Sequence, residues 1–169
     1  MLFRSTIFVR TTRFVQTAFP QKRMDSTNIS RIAGLLDPLW ESYQEITNGC
    51  RPDLVVVNLG NNDNPETFRL RLNDILNLNA KRKIRTILLL EANSPGAIVA
   101  PALSKHGIMK ELGTKYDVPV LDLHGFVKEE SNKESGFLWW DTVHLTSYGQ
   151  GLVAKWLAPA LTREIRKRY

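Results

Sequence analysis

The sequence predicts an α/β fold, a three-layer sandwich built around a parallel sheet. Three short apolar runs, at 53–60, 86–92 and 118–123, have the composition of β-strands. The runs are nearly continuous rather than alternating, which indicates strands buried on both faces, as in a parallel sheet. Helical patterns lie between the runs, and this alternation favours right-handed crossovers with helices on both sides of the sheet.

Four segments have helical patterns: 37–47, 65–80, 101–116 and the stretch that begins at Ser147. The first starts with Asp37 in a capping position, followed by a proline that suits the first helical turn. Ser147 and Gln150 have the spacing of a capping box, and Pro159 should kink or split the last helix. A long loop is expected between the third strand and that helix.

The length and composition are those of one folded domain. A chain of 169 residues with 43% hydrophobic residues can bury a sizeable core. No apolar run approaches the roughly 20 residues that a membrane-spanning helix needs, so no membrane span is expected. The single cysteine, Cys50, excludes an internal disulfide framework and a metal site built from several cysteines.

The net charge of +6 is concentrated at the two ends of the sequence. Residues 1–24 contain five basic and no acidic residues, and residues 163–169 contain four basic residues and one glutamate. Subtracting +5 and +3 from +6 leaves about −2 for residues 25–162. Because nucleic-acid-binding proteins usually spread basic residues over a folded face, this distribution predicts no nucleic-acid partner. The basic C terminus is expected to complement the dipole of the last helix.

Residues 1–24 form a basic leader ahead of the predicted α/β domain at 25–169. The leader has spaced arginines, many hydroxyl side chains and no acidic residue, which is typical of a mitochondrial targeting presequence. It lacks the long apolar segment of a secretory signal. The alternatives are a disordered basic N terminus and a gene-model artefact, in which case a cytoplasmic location is expected.

Polar residues follow each of the three predicted strands. Gly60-Asn61-Asn62-Asp63 follows the first, Asn93-Ser94-Pro95-Gly96 the second, and His124 the third, with a loop containing Asp141 and His144 further on. In open parallel sheets, functional groups lie outside the carboxyl ends of the strands. The sequence therefore predicts one functional rim.

Three of these rim residues have the chemistry of acyl transfer. His144 can act as a general base if a partner holds its other ring nitrogen, and Asp141, three residues earlier, can be that partner. The side-chain amide of Asn62 can donate to a developing oxyanion. A base, its orienting carboxylate and an oxyanion donor require a serine or cysteine nucleophile to complete the site.

At these residues the sequence resembles the SGNH (GDSL-type) hydrolase superfamily. "PDLVVVNLGNND" is similar to the family's Gly-x-Asn-Asp block, and "WWDTVHLTSYGQGLVAKWL" is similar to its Asp-x-x-His block. The resemblance implies a flavodoxin-like sandwich that hydrolyses an acetyl or other short acyl ester, on a small-molecule, glycan or lipid substrate, without metal or cofactor. It assigns Asn62 to the oxyanion hole, His144 as base and Asp141 as its partner.

The N-terminal part of the chain departs from the family pattern. The family's first block is a Gly-Asp-Ser turn that follows a strand and supplies the nucleophile, and the nearest match is Met24-Asp25-Ser26. Only 26 residues separate Ser26 from Asp53, too few for the two helices and the strand that the family places there. Gly34 is the candidate for the second block, which adds an oxyanion donor. We expect the chain to begin after the first block, without the family's first strand.

Two classes of function stay open. The first is an SGNH-type ester hydrolase with Ser26 as candidate nucleophile, and the second is a non-catalytic binding protein that keeps the pocket rim. A basic mitochondrial protein associated with nucleic acid is a weaker third alternative. Trp139 and Trp140 are expected to line the substrate pocket or to pack in the core. The spacing of Ser26 predicts little or no hydrolysis by the 169-residue chain.

Overall fold

The structure, a computed structural model, describes residues 2–29, 35–59, 62–93, 100–133, 137–141 and 143–167. The helices are α1 (Leu2–Thr17), α2 (Leu36–Gly49), α3 (Pro65–Arg82), α4 (Ala100–Lys115), α5 (Leu123–Asn132) and α6 (Ser147–Arg166). The strands are β1 (Leu54–Val57), β2 (Arg85–Leu89) and β3 (Val120–Leu121). Among the described residues, no helix is long and apolar enough to cross a membrane.

The three strands form one parallel sheet in the order β1-β2-β3, as the sequence predicts. Val57 is the partner of Leu88 in the first pair, and Leu89 is the partner of Leu121 in the second. Each strand is shorter than its apolar run. Because all three run in the same direction, their carboxyl ends lie at one edge of the sheet and their amino ends at the opposite edge.

Helices cover both faces of the sheet, which gives the predicted three-layer sandwich. On one face, α2, α3 and α4 pack over the strands around Phe68, Leu72 and Met109, which are all fully buried. On the other face, α5 and α6 pack around Val153 and Leu157. Successive residues of β2 point to opposite faces, so Leu88 belongs to the first core and Leu89 to the second.

The basic leader contains a packed helix. Helix α1 lies along α6, with Val15 and Thr11 buried. The guanidinium of Arg10 donates to the carbonyl and to the hydroxyl oxygen of Ser147, each at 2.8 Å. Leu2–Thr17 thus form a helix that is packed on α6, a contact that a local reading of the leader could not reveal.

Several helix boundaries differ from the predicted ones. Helix α2 begins at Leu36, so Asp37 lies in its first turn and pairs with an arginine of α3 instead of capping the helix. Thr146, not Ser147, caps α6 by accepting from the N–H of Gly149. Helix α6 continues through Pro159 without splitting. The expected long loop contains α5, which the side chain of Asp122 caps.

Candidate active site

The loop between α5 and α6 is held by a short antiparallel ladder. Trp139 and Leu145 form an isolated bridge, and the backbone N–H of Trp140 donates to the carbonyl oxygen of His144 at 2.8 Å. Side chains alternate across such a ladder. Trp139 and Leu145 accordingly pack against the second core, while Trp140 and His144 are exposed on the opposite side.

The carboxylate of Asp141 holds the tip of this loop at three points. Its Oδ1 accepts from the backbone N–H groups of Val143 and His144, both at 2.8 Å. Its Oδ2 accepts from Nδ1 of His144 at 2.7 Å. The prediction that Asp141 accepts a hydrogen bond from His144 is confirmed.

These contacts define the ionisation of Asp141 and the tautomer of His144. The N–H of Val143, followed by the His144 side chain, lowers the pKa of Asp141 to about 2. An ionised carboxylate can only accept, so the hydrogen bond places a proton on Nδ1 of His144. In the neutral ring Nε2 is then the nitrogen without a proton. The side chains of His144 and Asp141 are 49% and 52% exposed, so a small molecule can reach them.

Asn62 and Asp63 follow β1 at the carboxyl end of the sheet. Asn62 is exposed, whereas Asp63 is buried and its Oδ1 accepts from the backbone N–H of Leu36 at 2.9 Å. Asn64, not Asp63, caps α3. Asn62 therefore stands next to a residue that is anchored to the start of α2. Gly60 and Asn61 lie outside the described residues.

The His144 loop lies at the same end of the sheet. Leu145 shares the second core with Leu89, the last residue of β2, and with Ala92 just beyond it. Helix α6, which follows the loop, ends at the amino end of the sheet, where the Arg85 guanidinium donates to the carbonyl of Glu164. Asn62 and the His144 loop therefore both lie at the carboxyl end of the sheet. This is the edge at which parallel α/β proteins hold their ligands.

A buried polar cluster, which the sequence analysis missed, supports this rim. Lys105 is 2% exposed and interacts electrostatically with the buried carboxylates of Asp63 and Glu91. Burial lowers the pKa of Lys105, and the two carboxylates oppose that effect. The sequence carried one signal for this cluster, a Lys-His pair within an otherwise apolar stretch of α4.

A histidine pair lies beside the buried lysine. His106 is buried, and its Nε2 donates to the backbone carbonyl of Glu91 at 3.0 Å. Its ring lies edge to face with that of His124, with the ring centroids 5.3 Å apart. Nδ1 of His124 is buried without a hydrogen-bond partner. Among the residues that the structure describes, no three His, Cys, Asp or Glu side chains are arranged to hold a metal ion.

The remaining predicted site residues are placed differently. Ser26 is exposed in the extended segment between α1 and α2, and no described hydrogen bond joins it to His144. Gly34 lies outside the described residues. Trp139 is half-buried in the second core, whereas Trp140 is 62% exposed. Phe137, which the sequence analysis did not single out, is 65% exposed and makes an edge-to-face contact with Trp140 at 5.9 Å.

The fold is similar to those of solved hydrolases, lipases and esterases. An α/β hydrolase enzyme from the metagenome of Lake Arreo, Spain, superposes with a TM-score of 0.80, at 19% identity over 91% of this chain and 80% of that chain. A predicted GDSL-like lipase from Parabacteroides merdae has a TM-score of 0.75, at 14% identity over 88% and 78% of the two chains. The chain has an SGNH-hydrolase-like fold.

An acetylxylan esterase from Geobacillus stearothermophilus belongs to the same set of structures. It has a TM-score of 0.76, at 17% identity over 94% of this chain and 80% of that chain. No protein-family model and no curated protein matches the sequence. At this level of identity the likeness establishes the SGNH-hydrolase-like fold, and the chemistry of this chain is argued from its own residues.

Proposed function

We propose that this SGNH-like protein is a hydrolase of small esters that carry an acetyl or other short acyl group. The hydrogen bond between Asp141 and His144 carries the proposal, because it orients the ring and makes Nε2 the unprotonated nitrogen of the neutral imidazole, as a general base requires. The half-exposed position of both side chains supports access by a small ester. The ester hydrolases among the structural neighbours support the same reaction class.

In this mechanism Nε2 of His144 removes the proton of a serine hydroxyl as its oxygen attacks the acyl carbon. The side-chain amide of Asn62 donates to the oxyanion of the tetrahedral intermediate. His144 then protonates the departing alcohol, and an acyl-serine is left. Water attacks the acyl-serine with His144 again as base, which releases the acid and restores the serine. Asp141 stabilises the imidazolium at each stage.

The outer side of the loop is a candidate wall for the substrate. Because Trp140 and His144 are opposed in the ladder, their side chains project from the same side of it. Phe137 extends the aromatic surface through its contact with Trp140. This exposed aromatic pair suits the apolar or ring-shaped part of an ester.

A non-catalytic binding protein is the second candidate function. The position of Ser26 favours it, because Ser26 lies in an exposed segment with no described hydrogen bond to His144. Without a hydroxyl to activate, His144 and Asn62 could bind an ester and accelerate its hydrolysis only weakly. The spacing of Ser26 predicts little or no hydrolysis by this chain, and that result is the one expected of a binding protein.

Hydrolysis of p-nitrophenyl acetate by the full chain separates the two functions. A hydrolase should lose at least about 1,000-fold of its rate in His144→Ala, and an equal loss in Ser26→Ala would make Ser26 the nucleophile. Lys128→Gln, an exposed change on α5, is the control. A slow reaction that His144→Ala leaves unchanged would exclude the hydrolase. Perturbation of the Trp140 indole NMR signal by the ester would then favour the binding protein.

A further inference from the structure

The end of the sheet opposite the candidate site is strongly basic. Nine cationic side chains of the described residues lie there: Arg51, Lys81, Arg82, Lys83, Arg85, Lys115, Arg163, Arg166 and Lys167. Three carboxylates accompany them: Asp53, Asp117 and Glu164. We call this surface the basic end. It is remote from Asp63, Glu91 and Asp141, which lie at the carboxyl end.

The topology of the fold brings these residues together. The strands begin at Leu54, Arg85 and Val120, and helices α2, α3 and α4 each end just before the next strand starts. Helix α6 also ends there, because the guanidinium of Arg85 donates to the backbone carbonyl of Glu164. The guanidinium of Arg166 lies 5.8 Å from the ring of Phe19, just beyond α1.

A cleft of about 690 Å³ lies within the basic end. Leu54, Arg85 and Val120 line it from the sheet, and Asp117, Glu164 and Lys167 line it from the surrounding chain. It is separate from the proposed ester site. Arg85 and Lys167 in its lining are balanced by Asp117 and Glu164, so the excess positive charge of the basic end lies around the cleft and faces solvent, where it favours an anionic partner.

Helix dipoles explain only part of this charge. Lysine and arginine in the last turn of α3, α4 and α6 complement the negative ends of those helices. Arg51, Lys83 and Arg85, however, lie outside the helices. Arg51 donates to the backbone carbonyl of Lys83, and Arg82 donates to the side-chain oxygen of Asn48. Because both acceptors are uncharged, these hydrogen bonds do not neutralise the two guanidinium groups. Like charges in such proximity cost stability unless a partner compensates them.

We propose that the basic end binds the phosphate backbone of a double-stranded nucleic acid. Lysine and arginine side chains spread over several helix ends match the spaced phosphates of a duplex. The sequence predicted no nucleic-acid partner, because the charges of residues 25–162 nearly cancel when they are summed along the chain. The fold gathers six basic residues of this segment at one end: Arg51, Lys81, Arg82, Lys83, Arg85 and Lys115.

The aromatic side chains decide between a duplex and other anionic partners. The described aromatic side chains that are exposed, Phe14, Phe137, Trp140 and Tyr148, lie outside the basic end, and its one exposed large apolar side chain among the described residues is the aliphatic Ile46. Phe19 and Tyr116 are half-buried there, each with a cation near its ring. Single-strand binding relies on exposed aromatic rings that stack on bases, and membrane surfaces favour exposed aromatic anchors. The described residues of the basic end offer no exposed aromatic ring for either.

Fluorescence anisotropy with labelled 20-base-pair DNA and RNA duplexes tests the proposal on the full chain. The logarithm of the affinity should fall linearly with the logarithm of the salt concentration, with a slope of about −0.9 for each phosphate contacted. Lys81→Gln/Lys83→Gln should flatten that slope by about two and weaken binding at least several-fold. The matched control, Lys128→Gln/Lys155→Gln, removes the same charge from exposed positions elsewhere on α5 and α6.

Each of the other outcomes contradicts the proposal. Equal effects of the two double variants would show that net charge alone attracts the duplex. Tighter binding to a single strand, binding only to vesicles that contain phosphatidylserine, or no binding at about 50 mM salt would each exclude a duplex site. Melting curves establish that both variants fold, and Lys115→Gln/Lys167→Gln replaces the first pair if it unfolds.

Discussion

Asp63 accepts a hydrogen bond from the backbone N–H of Leu36 at 2.9 Å, although the two residues are 27 positions apart in the sequence. The bond joins the loop after β1 to the first turn of α2. It also satisfies an N–H that the helix itself cannot pair. Since Asn62 precedes Asp63, this bond fixes the backbone next to the proposed oxyanion donor.

Replacing Asp63 should destabilise the protein. Asp63→Ala leaves the Leu36 N–H unpaired and removes a negative charge near the buried Lys105, so we expect a loss of about 1–3 kcal/mol in the free energy of unfolding. Asp63→Asn keeps an acceptor oxygen and should lose less. Urea denaturation measures both, and wild-type stability in Asp63→Ala would show that the bond contributes nothing.

The two tryptophans of the loop should respond differently to substitution. Trp139→Ala removes a ring that packs against the second core, and we expect a loss of about 2 kcal/mol in stability. Trp140→Ala removes an exposed ring and should change stability by less than about 0.5 kcal/mol. Under the proposed function, Trp140→Ala should raise the KM for esters with a bulky alcohol more than the KM for small esters. If Trp140→Ala leaves the ratio of the two KM values unchanged, Trp140 does not contact the substrate.

Stability at acidic pH should depend on Asp141. Its folded pKa of about 2 lies below the value near 3.9 that is usual for an unfolded aspartate. The contribution of Asp141 to stability is therefore complete above about pH 4 and is lost as the pH falls from about 4 to about 2. The difference in unfolding free energy between wild type and Asp141→Asn should shrink as the pH falls through this window. A difference that is the same at pH 6 and pH 2.5 would contradict this assignment.

His106 should make the fold less stable below neutral pH. Burial lowers its pKa, the nearby His124 and Lys110 lower it further, and the Glu91 carbonyl and Asp122 oppose the shift. As the pH falls, His106 is therefore protonated in the unfolded chain, where a histidine pKa is near 6.5, before it is protonated in the folded protein. The stability associated with a neutral His106 is present above about pH 6.5 and falls as the pH drops below it.

His106→Gln tests this dependence, since its side-chain amide can still donate to the Glu91 carbonyl. The variant should lose less stability than wild type between pH 7 and pH 5. Urea denaturation at both pH values measures the effect, with Lys128→Gln as a surface control. Identical losses in wild type and His106→Gln would rule out His106 as the titrating group.

The composition of the basic leader predicts import into mitochondria. Residues 1–24, fused to a fluorescent reporter, should carry it into mitochondria, because the leader combines spaced arginines and hydroxyl side chains with no acidic residue. Arg10→Gln/Arg13→Gln in the fusion should reduce import. A wild-type fusion that stays diffuse in the cytosol would contradict the targeting prediction, and packing on α6 would then be the role of α1.

Features encoded within a few residues could be predicted from the sequence. The three strands follow from runs of apolar residues, and the contact between Asp141 and His144 follows from a spacing of three residues. The wrong expectations concern segments whose conformation depends on distant partners. Helix α5, expected as a loop, buries Leu123 and Val127 against the second core. The leader, for which disorder was an alternative, is ordered by burial on α6.

By itself, the sequence determined the strands, the alternation that makes the sheet parallel, and the local Asp141–His144 unit, because periodicity and short spacing act along the chain. Only the tertiary structure decided which side of the loop carries Trp140, that Asp63 binds the start of α2, and that Lys105 and His106 are buried beneath the rim. It also decided that scattered lysines and arginines share one end of the sheet. The physical reason is that burial and electrostatic fields depend on distances in space, which packing sets and sequence separation does not.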